Sequence, residues 1–246
     1  MKIGTWNIRA FLLKDLFSKR NWFLRLPLII KTIKEENPDI MCFQEVHGIL
    51  QRYTLLMFLR GYKYAYKRSK GDWNIFSMEN GIAYKKDVFD IFFTSGRNLS
   101  DNGQLNGNRW GAKEHRSYCI AMLKHKNGKP VNVVCTHFDP YSEESKIGSS
   151  KIINSLFSNV FNVFLCGDFN FTPQCVGYKI MTESWKDAQE GYQFGTANKW
   201  KYDTPPADHR IDYIFTNSKV EEIYIIPVMG KTFPSDHCPI FANIKL

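Results

Sequence analysis

The chain has 246 residues, of which 43% are hydrophobic and 23% charged. This length is near the upper limit for one hydrophobic core, and the composition is that of a folded globular protein rather than a disordered one. The sequence lacks an apolar run of the roughly 18 to 20 residues that cross a bilayer, and a polar Asn7 precedes any apolar segment of the kind found in signal peptides. We therefore expect one domain over residues 1–246, without a transmembrane segment and located in the cytoplasm.

Basic residues exceed acidic ones, with 33 Lys and Arg against 24 Asp and Glu. The excess is concentrated in residues 1–90, which contain 16 basic and 9 acidic residues. Such a distribution is typical of proteins that meet polyanions, such as nucleic acid, phosphorylated small molecules or an anionic membrane. A basic surface that serves only solubility would give the same counts, so the charge alone leaves the partner open.

Short apolar runs bounded by turn residues predict strands along the whole chain. The predicted strands cover residues 3–8, 39–43, 81–84, 89–93, 118–123, 131–136, 160–166, 211–216, 222–228 and 240–244. Between two of them, Asn127 and Gly128 predict a tight antiparallel hairpin.

Three segments predict helices, namely 24–36, 143–158 and 175–184, and the first ends before Asn37 and Pro38. Helices interleaved with hairpin-linked and crossover-linked strands indicate an α/β or α+β domain with mixed sheets. The segments 94–117 and 186–210 are longer than simple connections, and long loops in compact domains are usually functional or disordered.

None of the six cysteines lies in a CxxC pair, so a zinc ribbon is not expected. Four of them lie in apolar runs and are interpreted as buried free thiols: Cys42, Cys119, Cys135 and Cys166. Free thiols fit a reducing compartment.

Polar residues suited to metal or phosphate chemistry occur at the ends of several predicted strands. They are Asn7, Glu45, His137, Asp139, Asp168, Asn170, Asp212, Asp236 and His237. Each one alone fits a turn or a cap, but strand ends on one rim of a sheet can gather distant residues into one site. Oxygen ligands dominate the set, which favours Mg²⁺ or Mn²⁺ over zinc. Hydrolysis of a phosphate ester is the leading reaction that combines carboxylates, a His–Asp couple and such an ion.

Six short motifs occur in order: TWNI at 5–8, FQEV at 43–46, THFD at 136–139, GDFN at 167–170, RIDYIF at 210–215 and SDHCPI at 235–240. On these motifs the whole chain resembles the endonuclease/exonuclease/phosphatase superfamily, which includes exonuclease III, DNase I, sphingomyelinases, deadenylases and inositol polyphosphate 5-phosphatases. Residues 169–184 and the THFD motif are similar to bacterial hydrolases of this superfamily whose substrates are poorly defined. The resemblance implies a DNase I-like four-layer α/β sandwich, with two mixed β-sheets face to face and helices outside.

The resemblance also implies a role for each motif residue. Glu45 would be the principal ligand of Mg²⁺ or Mn²⁺, with Asn7 assisting and Asp236 as a metal or water ligand. Asp168 would orient or deprotonate the attacking water, and Asn170 would donate its amide to a phosphate oxygen.

His237 would contact the phosphoryl oxygen or act as a general base, with Asp212 hydrogen-bonded to its far nitrogen. His137 would bind the phosphate. Arg116 has two interpretations, a phosphate clamp or a salt-bridge partner. Asp139 also has two interpretations, a contact with substrate or a structural hydrogen-bonding role, because some relatives lack an acid at this position.

Arg109 and Trp110, in the first long loop, are further candidates for substrate binding. The leading substrate is a phosphodiester in nucleic acid, because aromatic residues alternate with cations over residues 60–68. Tyr62, Tyr64 and Tyr66 share one face of a strand there, and packing is the competing interpretation.

A phospholipid or a small phosphoester is the alternative substrate. Residues 11–23 are amphipathic and basic, so they are expected either to touch a membrane or to pack on their own protein. A non-catalytic nucleic-acid-binding module is a minor alternative, since it predicts missing catalytic residues, whereas every motif is filled. We expect the protein to be a monomer.

Overall fold

The computed structural model describes residues 1–70, 74, 77–157, 159–227 and 232–246. Within these residues, twelve strands form two sheets of six strands each. The first sheet contains β1 (Lys2–Asn7), β2 (Ile40–His47), β3 (Tyr62–Arg68), β4 (Met78–Lys85), β11 (Lys219–Ile225) and β12 (Ile240–Lys245) in the order β11-β12-β1-β2-β4-β3. The second contains β5 (Phe89–Asn98), β6 (Ser117–His125), β7 (Pro130–His137), β8 (Val163–Asp168), β9 (Lys186–Asp187) and β10 (Asp212–Thr216) in the order β5-β6-β7-β8-β10-β9.

Each sheet has a parallel pair at its centre, β1 with β2 and β7 with β8. The other strand pairs are antiparallel. Parallel neighbours need a long crossover, and here the crossovers contain helix α1 (Trp22–Glu36) and helix α3 (Glu143–Asn154). The β-strands that carry the TWNI, FQEV, THFD and GDFN motifs are therefore the four central strands, and their polar residues lie at the carboxyl ends.

Apolar residues form three cores, which define the layers. The middle core lies between the two sheets and includes Ile40, Ile82 and Val133. Helices α1 and α2 (Gly48–Phe58) cover the outer face of the first sheet, and α3 and α4 (Val176–Thr182) cover that of the second. The layer order is helices, sheet, sheet, helices, which confirms the predicted DNase I-like sandwich.

All predicted strands coincide with observed strands, with shifted ends. The predicted strand 222–228 starts earlier, at Lys219, and its last residue, 228, lies outside the described residues. The predicted helix 143–158 ends at Asn154, and residue 158 also lies outside them. The hairpin prediction is confirmed, since β6 and β7 pair antiparallel and Gly128 has a φ of 93°.

Helix α2 was not predicted. It begins at Gly48, where φ is 62°, and the preceding His47 makes no side-chain cap. Because no capping residue precedes Gly48, the sequence gives no signal for the start of a helix, and the apolar residues that follow do not by themselves predict one. None of the helices in the described part of the chain is long and apolar enough to span a bilayer.

Two smaller predictions also have an outcome. The four cysteines expected to be buried free thiols are all buried and unpaired. In β3, Tyr62 and Tyr64 pack against the outer core of the first sheet, as the packing interpretation requires. Tyr66 is 39% exposed and lies under the Arg52 guanidinium, 4.2 Å from the ring centroid.

Candidate active site

The carboxyl ends of β1, β2 and β8 meet at the side chain of Asn7. Its Nδ2 donates to Glu45 Oε1 at 3.1 Å and to Asp168 Oδ2 at 3.0 Å. The side chain is fully buried, so these bonds are made away from water. The amide thus ties both sheets together and holds two carboxylates at one point of the rim.

Glu45 lies where β2 is irregular. The register between β2 and β4 shifts between Phe43 and Val46, and Glu45 has a φ of 60°. A bulge of this kind turns a side chain out of the regular alternation. Glu45 Oε2 accepts the N–H of Ala10 at 3.1 Å. Burial opposes ionisation, but the Arg9 guanidinium and the hydrogen bonds from Ala10 and Asn7 outweigh it and keep the pKa of Glu45 below its ordinary value. The group is therefore a permanent carboxylate at neutral pH.

Asp168 ends β8 and faces two histidines. Its Oδ2 lies 3.4 Å from His137 Nε2 and 3.8 Å from His237 Nε2, and its Oδ1 accepts the N–H of Asn170 at 3.0 Å. Burial and the neighbouring Asp212 carboxylate raise the pKa of Asp168 to about 7. A carboxyl group that titrates near neutral pH is suited to accept a proton during a reaction.

His237 forms a buried ion pair with Asp212. The distance from His237 Nδ1 to Asp212 Oδ2 is 2.8 Å. Burial opposes the charged imidazole, but the Asp212 carboxylate prevails and raises the pKa of His237 well above its ordinary value. The imidazole is therefore protonated at neutral pH, with Nδ1–H donating to Asp212 and Nε2 turned towards Asp168.

Thr196 completes this pair and was not predicted from the sequence. Its hydroxyl donates to Asp212 Oδ2 at 2.6 Å and accepts the N–H of Asp212 at 3.0 Å. The side chain is fully buried. A single threonine inside the long segment 186–210 gives no sequence signal, and only its proximity to Asp212 identifies it.

His137 has the opposite charge state. Its Nδ1 lies 3.0 Å from Arg116 Nη1. Burial and the Arg116 charge lower the pKa of His137 well below its ordinary value, so the imidazole is neutral. Because a guanidinium can only donate, Nδ1 accepts and Nε2 carries the proton. Arg116 thus orients His137.

These groups line a cleft of about 570 Å³. The predicted residues in its wall are Glu45, Arg116, His137, Asp168, Asn170, Asp236 and His237. Arg9 also lines it and was missed, although it follows the TWNI motif directly. Its Nη1 lies 3.5 Å from Asp236 Oδ2, and its φ of 58° turns the chain at the rim. The structure therefore gathers the proposed metal ligands and the proposed catalytic groups around one cavity, with Asn7 and Asp212 directly behind the wall.

Three predicted substrate-binding residues are not among the residues that line the cleft: Asp139, Arg109 and Trp110. Asp139 is fully buried; its Oδ1 accepts the N–H groups of Tyr141 and Ser142, each at 2.9 Å. Trp110 lies against α3, where a Cβ on Gly148 would be 2.6 Å from its ring. The contacts of Asp139 match the structural alternative, and a role of these residues in substrate binding stays a prediction.

The donor chemistry of the cleft fits a hard divalent cation. Glu45 and Asp236 provide carboxylates in the wall. Asn7 lies behind them, with its Nδ2 towards Glu45 and its Oδ1 accepting the N–H of Arg9 at 3.0 Å. Ligand atoms of Asp168, Asp212 and His237 also lie within 4.8 Å of one another. In that second group the imidazole is protonated and bonded to Asp212, and a protonated imidazole cannot ligate a metal. The oxygen donors around Glu45 are therefore the better cation site.

Comparison with known proteins gives one family. Residues 4–237 match the sequence profile described as the Endonuclease/Exonuclease/phosphatase family. Among curated proteins, Carbon catabolite repressor protein 4 homolog 3 of Arabidopsis thaliana is 25% identical over 181 residues, which are 69% of this chain and 37% of that protein. The chain thus matches little more than a third of that relative's length.

Two solved structures extend the comparison. An endonuclease/exonuclease/phosphatase from Bacteroides vulgatus is 27% identical, with a TM-score of 0.88, and the match covers 100% of this chain and 98% of that one. The mannosyl-6-phosphatase Bt3783 of Bacteroides thetaiotaomicron is 22% identical with a TM-score of 0.87, and the match covers 100% of both chains. Both share the fold of this chain over its whole length.

Proposed function

The chain belongs to the Endonuclease/Exonuclease/phosphatase family, and from this premise we propose that its cleft hydrolyses a phosphoester bond by attack of water on phosphorus. The observation that supports this most strongly is the convergence of Glu45, Asp168 and His237 on one cavity. They come from three distant parts of the sequence and carry three different charge states. Such a division of roles among titratable groups is typical of acid–base chemistry.

Glu45, Asn7 and Asp236 would hold Mg²⁺ or Mn²⁺. When bound, a divalent cation polarises a phosphoryl oxygen and lowers the pKa of coordinated water. Because the pKa of Glu45 is lowered, the side chain is already a carboxylate at neutral pH and need not lose a proton to bind the cation.

Asp168 would orient the attacking water and take its proton. A pKa of about 7 places this carboxyl between its two protonation states at neutral pH, where proton acceptance is efficient. Asn170 lines the same wall, and its Nδ2 donates one hydrogen to Phe138 O at 3.0 Å. The amide has a second hydrogen, which is available to a phosphate oxygen.

The two histidines would act as donors to the phosphoryl group. His237 is protonated, so contact with the phosphoryl oxygen is favoured over general-base action for this residue. His137 would present its Nε2–H to the phosphate, with Arg116 fixing the ring. Such fixed donors would stabilise the negative charge that grows on the phosphoryl oxygens during attack.

We propose a nucleic-acid phosphodiester as the leading substrate. The excess of basic residues in residues 1–90 and the cations Arg9, Lys70 and Arg116 in the cleft wall support an extended polyanion. The test is cleavage of single- and double-stranded DNA and RNA with Mg²⁺, comparing the wild type with Asp168→Asn. The exposed Asp203 gives the matched control Asp203→Asn. Cleavage that Asp168→Asn abolishes and Asp203→Asn preserves is the expected result; no cleavage of any nucleic acid rejects this substrate.

A small phosphoester or a phospholipid is the second candidate. The cleft volume of about 570 Å³ is within the usual range for small-molecule sites, and the similarly folded Bt3783 is a mannosyl-6-phosphatase. Phosphate release from sugar 6-phosphates, or headgroup release from phospholipid, by a protein inactive on nucleic acid would assign the cleft to this class.

A further inference from the structure

Exposed apolar side chains are concentrated on the outer helices of the first sheet and on the segment before α1. We call this the apolar face; it comprises Leu13, Leu16, Phe17, Phe23, Leu24, Ile49, Leu50, Tyr53, Met57 and Phe58. Phe17 is 100% exposed and Leu13 is 79% exposed. Large contiguous apolar surfaces on soluble domains mark interaction sites.

Part of the apolar face is continuous between the two helices. Phe23 of α1 and Met57 and Phe58 of α2 line one groove of about 710 Å³. The exposed residues of α2 recur at the spacing of one helix face. Leu16 is held beside the start of α1 because its carbonyl accepts the Asn21 side-chain amide. The face therefore extends across both helices and the turn that precedes them.

Cations outnumber acidic residues around this face. Residues 13–36 contain six basic residues and three acidic ones, Asp15, Glu35 and Glu36, and residues 48–58 contain no acidic residue. Asp15 is buried and Glu35 lies 3.8 Å from Lys31, whereas the exposed Lys14 and Lys19 lie beside Leu13 and Phe17 in the chain. The surface is thus both apolar and positively charged, which is the combination that binds anionic membrane interfaces.

Buried and partly buried hydrogen bonds hold both ends of the segment that carries the most exposed residues. The Arg25 guanidinium donates to Ile8 O at 2.7 Å, to Arg9 O at 3.0 Å and to Arg20 O at 2.8 Å. The N–H of Phe11 donates to Gln51 Oε1 in α2 at 2.9 Å. Leu13 and Phe17 therefore project from an anchored loop, so docking them orders little additional chain.

We propose that the apolar face docks on an anionic lipid bilayer, with its side chains in the interface and its lysines beside lipid phosphates. Nucleic acid would contact the same cations, but single strands are held by stacking on rings, whereas six of the ten members of the face are aliphatic: Leu13, Leu16, Leu24, Ile49, Leu50 and Met57. The proposal does not depend on the proposed function, because docking requires no chemistry in the cleft.

The test is co-sedimentation of the full chain with vesicles of phosphatidylcholine alone and of phosphatidylcholine mixed with phosphatidylglycerol. Binding to the anionic vesicles, weakened by salt, is expected. Absence of binding to anionic vesicles at low ionic strength overturns the proposal. Equal binding to both vesicle types contradicts the role of the lysines.

Variants assign the binding to this surface. The pair Leu13→Ser with Phe17→Ser should weaken binding by at least about tenfold, and Lys14→Gln with Lys19→Gln by about 25-fold. The matched control is Phe161→Ser, in the loop before β8, where the side chain is 79% exposed. Circular dichroism checks that each variant folds. An equal loss for Phe161→Ser overturns the assignment.

Two further outcomes also count against the membrane. If size-exclusion chromatography shows a dimer that Phe17→Ser dissociates, a second copy covers the face. If Phe17→Ser removes binding to single-stranded DNA and leaves vesicle binding unchanged, the face binds nucleic acid.

Discussion

One carboxylate oxygen of Asp212 accepts hydrogen bonds from both Thr196 and His237. Oδ2 receives the Thr196 hydroxyl at 2.6 Å and lies 2.8 Å from His237 Nδ1. The Thr196 oxygen is itself held by the N–H groups of Ile211 at 3.1 Å and Asp212 at 3.0 Å. Thr196 is therefore a positioning residue: it fixes the carboxylate that fixes the imidazolium.

We predict that Thr196→Val lowers kcat about tenfold with little change in KM, because one buried hydrogen bond to the carboxylate is lost. Thr196→Ser keeps the hydroxyl and should retain most of the activity. Steady-state kinetics on whichever phosphoester proves active measures both variants, and thermal unfolding checks that they fold. Equal loss in the serine and valine variants would contradict the positioning role.

The charge of His237 can be measured directly in the metal-free protein. We predict by NMR titration that its imidazole pKa lies above the ordinary value of about 6.5, and that Asp212→Asn lowers it. A raised pKa in the folded state means that the ion pair stabilises the fold fully below about pH 6.5 and loses this effect as the pH rises through the folded pKa. A His237 that is neutral at pH about 6.5 in the wild type would contradict the ion pair.

At the scale of the secondary-structure element, Gly167 allows β7 and β8 to lie side by side. Its φ is 156°, and a Cβ there would lie 2.0 Å from the carbonyl oxygen of Thr136. The parallel register pairs Thr136 with Gly167 and His137 with Asp168. The absence of a side chain at residue 167 is thus a condition for the contact between His137 and Asp168.

We predict that Gly167→Ala lowers the free energy of unfolding by about 3 kcal/mol, through overpacking of a filled site, and lowers activity by separating His137 from Asp168. Urea denaturation measures the first effect. The matched control is Gly61→Ala, since a Cβ at Gly61 would meet nothing within 4 Å, and a change within about 0.5 kcal/mol is expected there. Equal free energies of unfolding for the two variants would show that the spacing between β7 and β8 tolerates a side chain at residue 167.

The same elements show what the sequence could predict. Apolar runs located every long strand of the two central parallel pairs, and the motif residues at their ends were predicted together because strand ends share a rim. The bulge that turns Glu45 towards the site leaves no such pattern, since β2 continues to His47 beyond the predicted end at residue 43. Thr196 and Arg9 lie outside regular periodicity, so only the folded chain brings Arg9 to the cleft and Thr196 to Asp212.

At the scale of the whole molecule, Asn7 connects the proposed cation site to the second sheet, because it donates both to Glu45 of the first sheet and to Asp168 of the second. We predict that Glu45→Gln weakens Mn²⁺ binding at least about tenfold, because one ligand charge is removed. Isothermal titration calorimetry with Mn²⁺ alone measures this without substrate. The exposed Glu190 gives the control Glu190→Gln, which should bind Mn²⁺ as tightly as the wild type. If both variants lose Mn²⁺ affinity equally, the ion does not bind at Glu45.

The central claim is that the cleft hydrolyses phosphoesters with a divalent cation and Asp168. Its most direct test is the hydrolysis rate of a p-nitrophenyl phosphodiester by the wild type with Mg²⁺, by the wild type after EDTA treatment, and by Asp168→Asn with Mg²⁺. We predict hydrolysis that EDTA removes, that added Mg²⁺ or Mn²⁺ restores, and that Asp168→Asn lacks. Hydrolysis that continues at the wild-type rate after EDTA treatment or in Asp168→Asn would contradict the account.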